Sequence, residues 1–429
     1  MNILALLQCI QPALSKTAVR QMSRIAQAMV AMTGRVTMLG LSRWAGKGGS
    51  YLGHLHRPGG EYFLVGDESV VTKAGRETYG LDRFFSSLHN QVVKGIAIFS
   101  VSLVSVEERR SYPLQVEQVL RSDEEKMAAK QRKQERDKPG QTAVRKHCGR
   151  PKGSRNRDKT EVVLTPELKR IQAMIQKQLK LLSDRVSVRH LALDGHFGSN
   201  NALQMVRQCG LHLVSKLRLD AALYFQYQGE QNRFGPRRKY GQKIDYRRIP
   251  DAYLVSRSIQ GQLETCFYQG QMLHRGFAQE LNVVIITKTH LKTGACAHVN
   301  LFSSDLTLSA EKIIDDYSLR FQIEFNFRDA KQYWGLEDFM SIKPVPVTNA
   351  INLSLFMVIL SQVLLHQYRQ CHPGSGVLDL KAYFRAAKYF EEMIKMLPKK
   401  PDRFLLEQIF CQVSSLGCIH AVNVQASPP

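Results

Sequence analysis

The chain has no cysteine pattern typical of a disulfide framework or a zinc site. Its eight cysteines are scattered over 429 residues, without a CxxC pair and without a histidine cluster at zinc-ligand spacing. We therefore expect reduced thiols in a cytosolic protein. None of the glycine-rich runs has the form of a P-loop, so the sequence implies no nucleotide cofactor.

Targeting and membrane signals are also scarce. The N-terminal run MNILALLQCIQPALSK has no preceding positive charge and no clear small-residue cleavage site, so we expect no signal peptide. A second run, residues 350–366, approaches membrane-spanning length but contains Asn352, Ser361 and Gln362. These polar residues favour a buried core helix over a membrane span.

Acidic residues are few relative to basic ones. The 60 Lys and Arg residues exceed the 37 Asp and Glu residues, which gives a formal net charge of +23 and a pI of about 9.7. Such a balance indicates a polyanionic partner. Charge alone does not distinguish nucleic acid from an anionic membrane surface.

The segment YSLRFQIEFNFRDAK, residues 317–331, is the most informative part of the chain. In an α-helix, Tyr317, Arg320, Glu324 and Lys331 fall within an arc of roughly 60°. The helix is expected to begin near Ser309 and to end at Gly335, and Glu324 would interrupt an apolar stripe formed by Ile313, Ile314, Phe321 and Phe325. A half-buried carboxylate needs an ion pair or a metal, so salt bridges to Arg320 and Lys331 are the alternative to a functional site.

Two aspartates upstream follow predicted strands. The segment EYFLVGDESVVTKAG predicts a short strand that ends at Asp67, with backbone turns at Gly66 and Gly75. A strand over residues 186–193 is followed by Asp194, by a helix near 199–209 and by the strand LHLVSKLRL, a βαβ unit with its carboxylate at the end of a strand. For either Asp taken alone, a turn or helix-capping role is the alternative.

The spacing Tyr, two residues, Arg, three residues, Glu, six residues, Lys resembles the YREK signature of bacterial insertion-sequence DDE transposases of the insertion sequence four family. Asp67 and Asp194 precede it in the family's order, and the resemblance spans residues 37–345. It implies an α/β protein with a ribonuclease-H-like catalytic core, a mostly β insertion and helical N- and C-terminal regions. Asp67, Asp194 and Glu324 would be the catalytic carboxylates and would hold two Mg²⁺ ions, for which Mn²⁺ can substitute.

The same resemblance implies an activity. Arg320 and Lys331 would neutralise DNA phosphates and Tyr317 would hydrogen-bond one of them. The enzyme would bind the inverted repeats of an insertion sequence, cleave the double-stranded DNA there, with excision through a hairpin intermediate, and join the 3′-hydroxyl ends to target DNA. It would work as a homodimer at the bacterial nucleoid, in the cytoplasm and away from membranes. A repurposed DNA-binding protein that does not cleave, and a ribonuclease-H-like nuclease without strand transfer, remain the alternatives.

The organisation along the chain follows from composition and from this resemblance. The expected parts are a helical DNA-binding region (1–58), the first part of the core (59–218) with a basic linker (121–160), a β-rich insertion (219–282), the second part of the core with the YREK helix (283–345) and a helical C-terminal region suited to dimerisation (346–429). Within the first part, two β-rich runs joined by the charged residues 107–110 predict an antiparallel hairpin beside the Asp67 strand.

Three basic segments are candidate DNA contacts. Residues 36–57 contain two predicted helices around a glycine-rich turn, as in a helix-turn-helix. The stretch GRPKGSRNR in the linker resembles an AT-hook, in which Arg150 would reach the floor of the minor groove, although a solvated linker is the alternative. In the insertion, Arg237, Arg238 and Lys239 lie near Tyr240 and Tyr246, a composition suited to phosphate contacts and base stacking. Trp334 could stack on an unpaired base or belong to the core.

Overall fold

The computed structural model describes residues 3–7, 16–33, 36, 60–86, 89–122, 125, 127, 158–182, 186–231, 233–399 and 401–420. The predicted helix-turn-helix, apart from Val36, lies outside the described residues. The same is true of the AT-hook-like stretch with Arg150 and of most of the basic linker.

The described residues form twelve strands and nine α-helices. The strands are β1 (Tyr62–Thr72), β2 (Asp82–Ser86), β3 (Gln91–Ser105), β4 (Arg110–Val119), β5 (Val188–Leu193), β6 (His212–Lys216), β7 (Leu223–Gln226), β8 (Tyr240–Lys243), β9 (Leu254–Gln260), β10 (Leu263–His274), β11 (Leu281–His290) and β12 (Cys296–Ser303). The helices are α1 (Ile3–Leu6), α2 (Lys16–Ala31), α3 (Pro166–Leu182), α4 (Asn200–Gln208), α5 (Ala310–Leu319), α6 (Gln322–Tyr333), α7 (Pro344–Arg369), α8 (Val377–Met396) and α9 (Arg403–Ser415).

All twelve strands belong to one mixed sheet. Its order is β2-β3-β1-β5-β6-β12-β11-β10-β7-β8, with β4 paired to β3 and β9 paired to β10. Around β1, the order β4-β3-β1-β5-β6 has β3 antiparallel to β1, and β5 and β6 parallel to it. The protein is therefore mixed α/β, as expected, and this part of the sheet is compatible with the ribonuclease-H-like domain of a DDE enzyme.

Strand β1 differs from the prediction in its length. It does not end at Asp67 but continues to Thr72, because its antiparallel pairing with β3 extends as far as the pair Thr72 and Gly95. The expected backbone turn at Gly66 is therefore wrong, since Gly66 is a strand residue. The parallel pairing of β1 with β5, in contrast, stops at the pair Gly66 and Leu193. Asp67 thus lies where its neighbouring strand β5 ends.

The second predicted unit, β5-α4-β6, is present with its strands parallel. Ser199 caps α4 by accepting a hydrogen bond from the Ala202 N–H. The predicted hairpin is formed by β3 and β4, which reverse through residues 106–109 with Arg109 at a φ of 50°. The short strand β2, which extends the same edge of β3, was not predicted.

The segment 219–282 contains strands β7 to β10, and these extend the central sheet. Strand β10 pairs along its length with β11, which pairs with β12, and β12 pairs with β6 next to the βαβ unit. The β structure in this region is therefore continuous with the strands that carry the two aspartates.

Helices cover both faces of the sheet. Because side chains alternate along a strand, Phe63 and Val65 of β1 pack into one apolar cluster with α1, α2 and α5 to α8. Tyr62 and Leu64 belong to a second cluster with α3 and α4. The segment that contains Glu324 therefore packs against the first face, directly beside β1.

Helix α7 contains the long apolar run. Within the described residues it is the one helix whose length and composition would suffice to cross a membrane, and 56% of its most apolar window is buried inside the protein. Its polar residues Ser354 and Ser361 are buried and donate hydrogen bonds to backbone carbonyls. The helix has the properties of the core helix that the sequence predicted.

Candidate active site

The predicted YREK helix consists of two helices. Ser309 caps α5 by accepting a hydrogen bond from the Lys312 N–H, and the chain leaves α6 through Gly335 at a φ of +73°, so both predicted ends are nearly right. The expectation of one continuous helix is wrong, because α5 ends at Leu319 and α6 begins at Gln322. In between, the N–H groups of residues 321, 323 and 324 bond to carbonyls three residues back, as in a 3₁₀ turn.

The apolar stripe around Glu324 is also narrower than expected. Ile313 and Ile323 are fully buried, but Phe321 is 48% exposed and packs edge-to-face on Phe325. Phe321 lies in the turn between the two helices, where the helical period is broken. It therefore faces solvent instead of the sheet.

Arg320 connects two of the predicted carboxylates. Its Nη1 lies 3.0 Å from Asp67 Oδ2, and its Nη2 lies 3.1 Å from Glu324 Oε1. The exposed fraction is 12% for the Arg320 side chain, 16% for Asp67 and 41% for Glu324. A largely buried guanidinium thus bridges strand β1 and helix α6.

Asp194 lies beside Asp67. It caps the 3₁₀ turn Gly195–Phe197, where its Oδ1 accepts a hydrogen bond of 3.0 Å from the His196 N–H. Its carbonyl accepts a hydrogen bond of 2.8 Å from Ser215 Oγ on β6. Because Gly66 and Leu193 are paired in parallel register, the two aspartates that follow them stand side by side. Asp194 can therefore cap the 3₁₀ turn through Oδ1 and still belong to a functional site beside Asp67.

The pKa shifts of Asp67 and Tyr317 show that the carboxylates, Arg320 and Tyr317 interact electrostatically. Burial raises the pKa of Asp67 to about 6; Arg320 opposes this rise, and the negative charges of Asp194 and Glu324 add to it. Burial also raises the pKa of Tyr317, which is influenced by Arg320, Asp194 and Asp67 as well. All five groups are predicted site residues, and they come from distant parts of the sequence.

The donor chemistry of the cluster suits a divalent cation. Three carboxylates provide oxygen ligands of the kind that Mg²⁺ and Mn²⁺ prefer. As the side chains are placed, no group of three His, Cys, Asp or Glu residues in the described part of the chain is arranged to hold a metal ion. At this site, the Arg320 guanidinium lies between Asp67 and Glu324 and occupies the oxygens that a metal ion would use. The residues fit a metal by chemistry, but Arg320 would have to move.

Lys331 lies further along the same side of β1. Its Nζ donates a hydrogen bond of 2.8 Å to the Val70 carbonyl and lies 3.5 Å from Glu337 Oε1. Its side chain is 23% exposed. Lys331 therefore joins α6 to β1 in this structure, whereas Tyr317 and Arg320 lie at the carboxylates.

A groove of about 640 Å³ opens beside the carboxylates. Asp194, Tyr317 and Arg320 line it, together with the basic residues Lys216 and Arg218 at the end of β6. Lys216 and Arg218 were not predicted as site residues. The predicted βαβ unit could have identified them, because β6 runs parallel to β5 and its last residues therefore lie next to Asp194. The groove combines carboxylates with cations, as a phosphodiester site requires.

Two other predicted contacts are placed away from this groove. Trp334 is fully buried and its carbonyl accepts a hydrogen bond from Ser354, so it is a core residue and cannot stack on a base. Arg237, Arg238 and Lys239 are exposed in the segment between β7 and β8. None of these three residues lines the groove, and strand β8 is seven positions from β1 in the sheet order.

The basic segment between β7 and β8 is nevertheless ordered by its own contacts. The Arg238 N–H donates to Gln231 Oε1 at 2.7 Å, and Gln231 Nε2 donates to the Arg238 carbonyl at 2.9 Å. The Arg238 guanidinium also stacks 4.6 Å from the centre of the Tyr227 ring. These contacts fix the position of Arg238, and its neighbours Arg237 and Lys239 are exposed beside it.

Comparison with known families adds an independent finding. Residues 52–269, just over half of the chain, match the family model described as DDE superfamily endonuclease. The matched range contains Asp67 and Asp194 and ends before α5. No curated protein matches the chain significantly. By its sequence match and its strand order, the chain belongs to the DDE superfamily endonucleases.

Proposed function

We propose that this DDE endonuclease is a transposase of the YREK group. It binds double-stranded DNA at the inverted repeats of an insertion sequence, cleaves the ends by metal-dependent hydrolysis and joins the freed 3′-hydroxyls to target DNA. The observation that carries the proposal is the approach of Asp67, Asp194 and Glu324 to one another around Arg320. They come from β1, the end of β5 and α6, and they share one cluster of charge.

Asp67, Asp194 and Glu324 would hold the divalent ions, Mg²⁺ or Mn²⁺. When bound, such ions supply activation of a water or 3′-hydroxyl nucleophile and stabilisation of the leaving oxygen. Tyr317 and Arg320 face the same groove, where the hydroxyl and the guanidinium can donate hydrogen bonds to a phosphate. Lys216 adds positive charge to the groove and can orient the DNA backbone, while Arg218 is paired there with Asp220 at 3.1 Å.

The remaining surfaces support DNA as the partner. The net charge of +23 and the exposed cations of the segment between β7 and β8 favour sequence-independent backbone contacts. A homodimer would bring two ends together, with the C-terminal helices as the proposed contact, and the place of action would be the bacterial cytoplasm, at the nucleoid.

Single substitutions test the carboxylates. We expect Asp67→Asn, Asp194→Asn and Glu324→Gln each to abolish cleavage of end DNA in Mg²⁺ while end binding in a gel-shift assay stays near that of the wild type. The matched control is Glu311→Gln, which removes an exposed carboxylate from α5 and should cleave normally. A substituted protein that cleaves at near wild-type rate removes that residue from the catalytic set.

A second assay separates transposition from its alternatives. Pre-cleaved end DNA with free 3′-hydroxyls is incubated with supercoiled target DNA and wild-type protein, and joined products are measured. Joining supports the transposase. Cleavage without joining indicates a ribonuclease-H-like nuclease, and binding without cleavage indicates a repurposed DNA-binding protein.

A further inference from the structure

We infer that Arg320 couples metal binding to DNA binding: its guanidinium occupies the carboxylate site in the free protein, and a DNA phosphate is the partner that releases it. This inference rests on the proposed function, because it concerns the same three carboxylates. It assigns to Arg320 an inhibitory role in addition to a phosphate contact.

The position of the guanidinium carries the inference. One amino group binds Asp67 at 3.0 Å and the other binds Glu324 at 3.1 Å, so a single cation uses both carboxylates. A bound Mg²⁺ needs ligand oxygens at about 2.0–2.1 Å and repels a neighbouring guanidinium. The ion and the observed arrangement of Arg320 therefore compete for the same oxygens.

Arg320 also has unused capacity for hydrogen bonding. Its Nε is buried and makes no hydrogen bond to any described residue. The side chain lines the groove together with Tyr317 and Lys216, which can donate hydrogen bonds to a phosphate. A phosphodiester offers two acceptor oxygens to the planar guanidinium and can replace both carboxylates as its partner. The groove thus places the alternative partner within reach of the same side chain.

Thermodynamic linkage gives the measurable consequence. If DNA draws Arg320 away, DNA must tighten metal binding, and metal must tighten DNA binding by the same factor. Couplings of this kind are on the order of 5- to 150-fold. Without a bridging guanidinium, metal should bind tightly even in the absence of DNA, and DNA should add little.

The test measures Mn²⁺ affinity of the full chain by electron paramagnetic resonance of free Mn²⁺, with and without a short mixed-sequence duplex. For the wild type we expect the duplex to tighten Mn²⁺ binding by about tenfold. Arg320→Lys keeps the charge but replaces the two guanidinium nitrogens, one on each carboxylate, by the single nitrogen of a shorter side chain, so the bridge between Asp67 and Glu324 is weakened. It should therefore bind Mn²⁺ about tenfold more tightly than the wild type without DNA and gain less than about twofold from the duplex.

Two controls make the outcomes distinct. Arg328→Lys is the same substitution on an exposed arginine of α6 and should leave Mn²⁺ affinity unchanged. Asp67→Asn should weaken Mn²⁺ binding strongly. If Asp67→Asn weakens binding but Arg320→Lys does not tighten it, the role of Arg320 is refuted and the carboxylate site stands. If Asp67→Asn has no effect on Mn²⁺ binding, the proposed site and the function built on it both fail. Thermal unfolding of each variant confirms that it is folded.

Discussion

At the scale of single residues, Gly66 leaves room for two buried side chains next to the aspartates. A Cβ at this position would lie 2.8 Å from the Phe99 ring and 2.9 Å from a Leu193 methyl group. Both are shorter than ordinary van der Waals contacts, and Leu193 immediately precedes Asp194. A side chain at residue 66 would therefore have to displace the Phe99 ring and the Leu193 side chain.

Gly66→Ala is accordingly expected to destabilise the fold by about 1–3 kcal/mol, the usual cost of overpacking a core. It should also reduce cleavage, since the displaced Leu193 side chain belongs to the residue that immediately precedes Asp194. Urea unfolding followed by circular dichroism measures the first effect. Gly75→Ala is the control, because its Cβ would have no neighbour nearer than 3.6 Å. Equal stability of the two variants would contradict this role of Gly66.

The residue scale also marks the limit of what the sequence could predict. The types and order of Asp67, Asp194 and Glu324 are local patterns, and the structure brings all three into one cluster. The contact of Arg320 with Asp67 joins residues 253 positions apart, and no periodicity encodes it. The burial of Trp334 likewise depends on α7, which packs over it through Ser354.

At the scale of elements, two buried lysines tie α6 and the segment after it to their neighbours. Lys73, just beyond β1, donates hydrogen bonds of 2.9 Å to the carbonyls of Glu337 and Phe339, and its Nζ lies 3.4 Å from the centre of the Phe339 ring. Lys381 of α8 donates to the Tyr333 carbonyl at 3.2 Å. Both contacts help to hold the end of α6, and thereby the helix of Glu324, relative to the sheet.

These lysines predict a dependence of stability on pH. Burial, opposed by Glu337 and Asp338, lowers the pKa of Lys73 to about 8 from 10.5. Between these values the folded protein binds fewer protons than the unfolded chain, so this group makes the protein more stable as pH rises. We expect the stability of the wild type relative to Lys73→Met to increase by about 1–3 kcal/mol from pH 8 to pH 10.5. Urea titrations at the two pH values measure it.

Lys381→Met serves as the companion variant, since burial lowers the pKa of Lys381 to about 8 as well. It should remove a comparable part of the pH dependence. If the difference in the free energy of unfolding between wild type and Lys73→Met stays constant across this pH range, the pKa of Lys73 is not lowered by folding.

The ends of helices could be predicted where a capping residue or a glycine marks them in the sequence. Ser309 and Gly335 mark the ends of the α5–α6 segment by capping and by a positive φ, and both signals are readable from residue type. The 3₁₀ turn at Arg320 and Phe321 has no such marker, because neither residue is a helix breaker. The break coincides with the contacts of Arg320 to Asp67 and Glu324, which sequence periodicity does not encode.

At the scale of the whole molecule, the sequence predicted a basic α/β protein but not the extent of its sheet. Strands β7 to β10 were predicted as β structure, yet their continuity with β6 depends on β12 pairing with β6 over some 80 residues of intervening chain. Pairings of that range leave no local signal in the sequence. The result is one sheet with carboxylates near one end and the exposed basic segment between β7 and β8 near the other.

This separation predicts that DNA affinity and metal chemistry can be changed independently. The combined substitution of Arg237, Arg238 and Lys239 by Ala removes three exposed cations without touching the carboxylate cluster. Binding of duplex DNA should weaken, and the slope of log K against log salt should become shallower by about 0.9 for each phosphate that these cations no longer neutralise, up to roughly 3. Fluorescence anisotropy at a series of salt concentrations measures the slope, while Mn²⁺ affinity without DNA should stay the same.

The matched control removes three cations elsewhere. Lys177 and Lys180 on α3 and Lys292 between β11 and β12 are exposed and lie outside both the groove and the C-terminal helices. Their joint replacement by Ala changes the net charge equally, so a purely global charge effect would flatten the salt slope in both triple variants. A shallower slope for the first variant alone locates the phosphate contacts on the segment between β7 and β8. Because counterion release depends on local phosphate contacts and not on total charge, this comparison assigns that surface to DNA or removes it from the DNA-binding role.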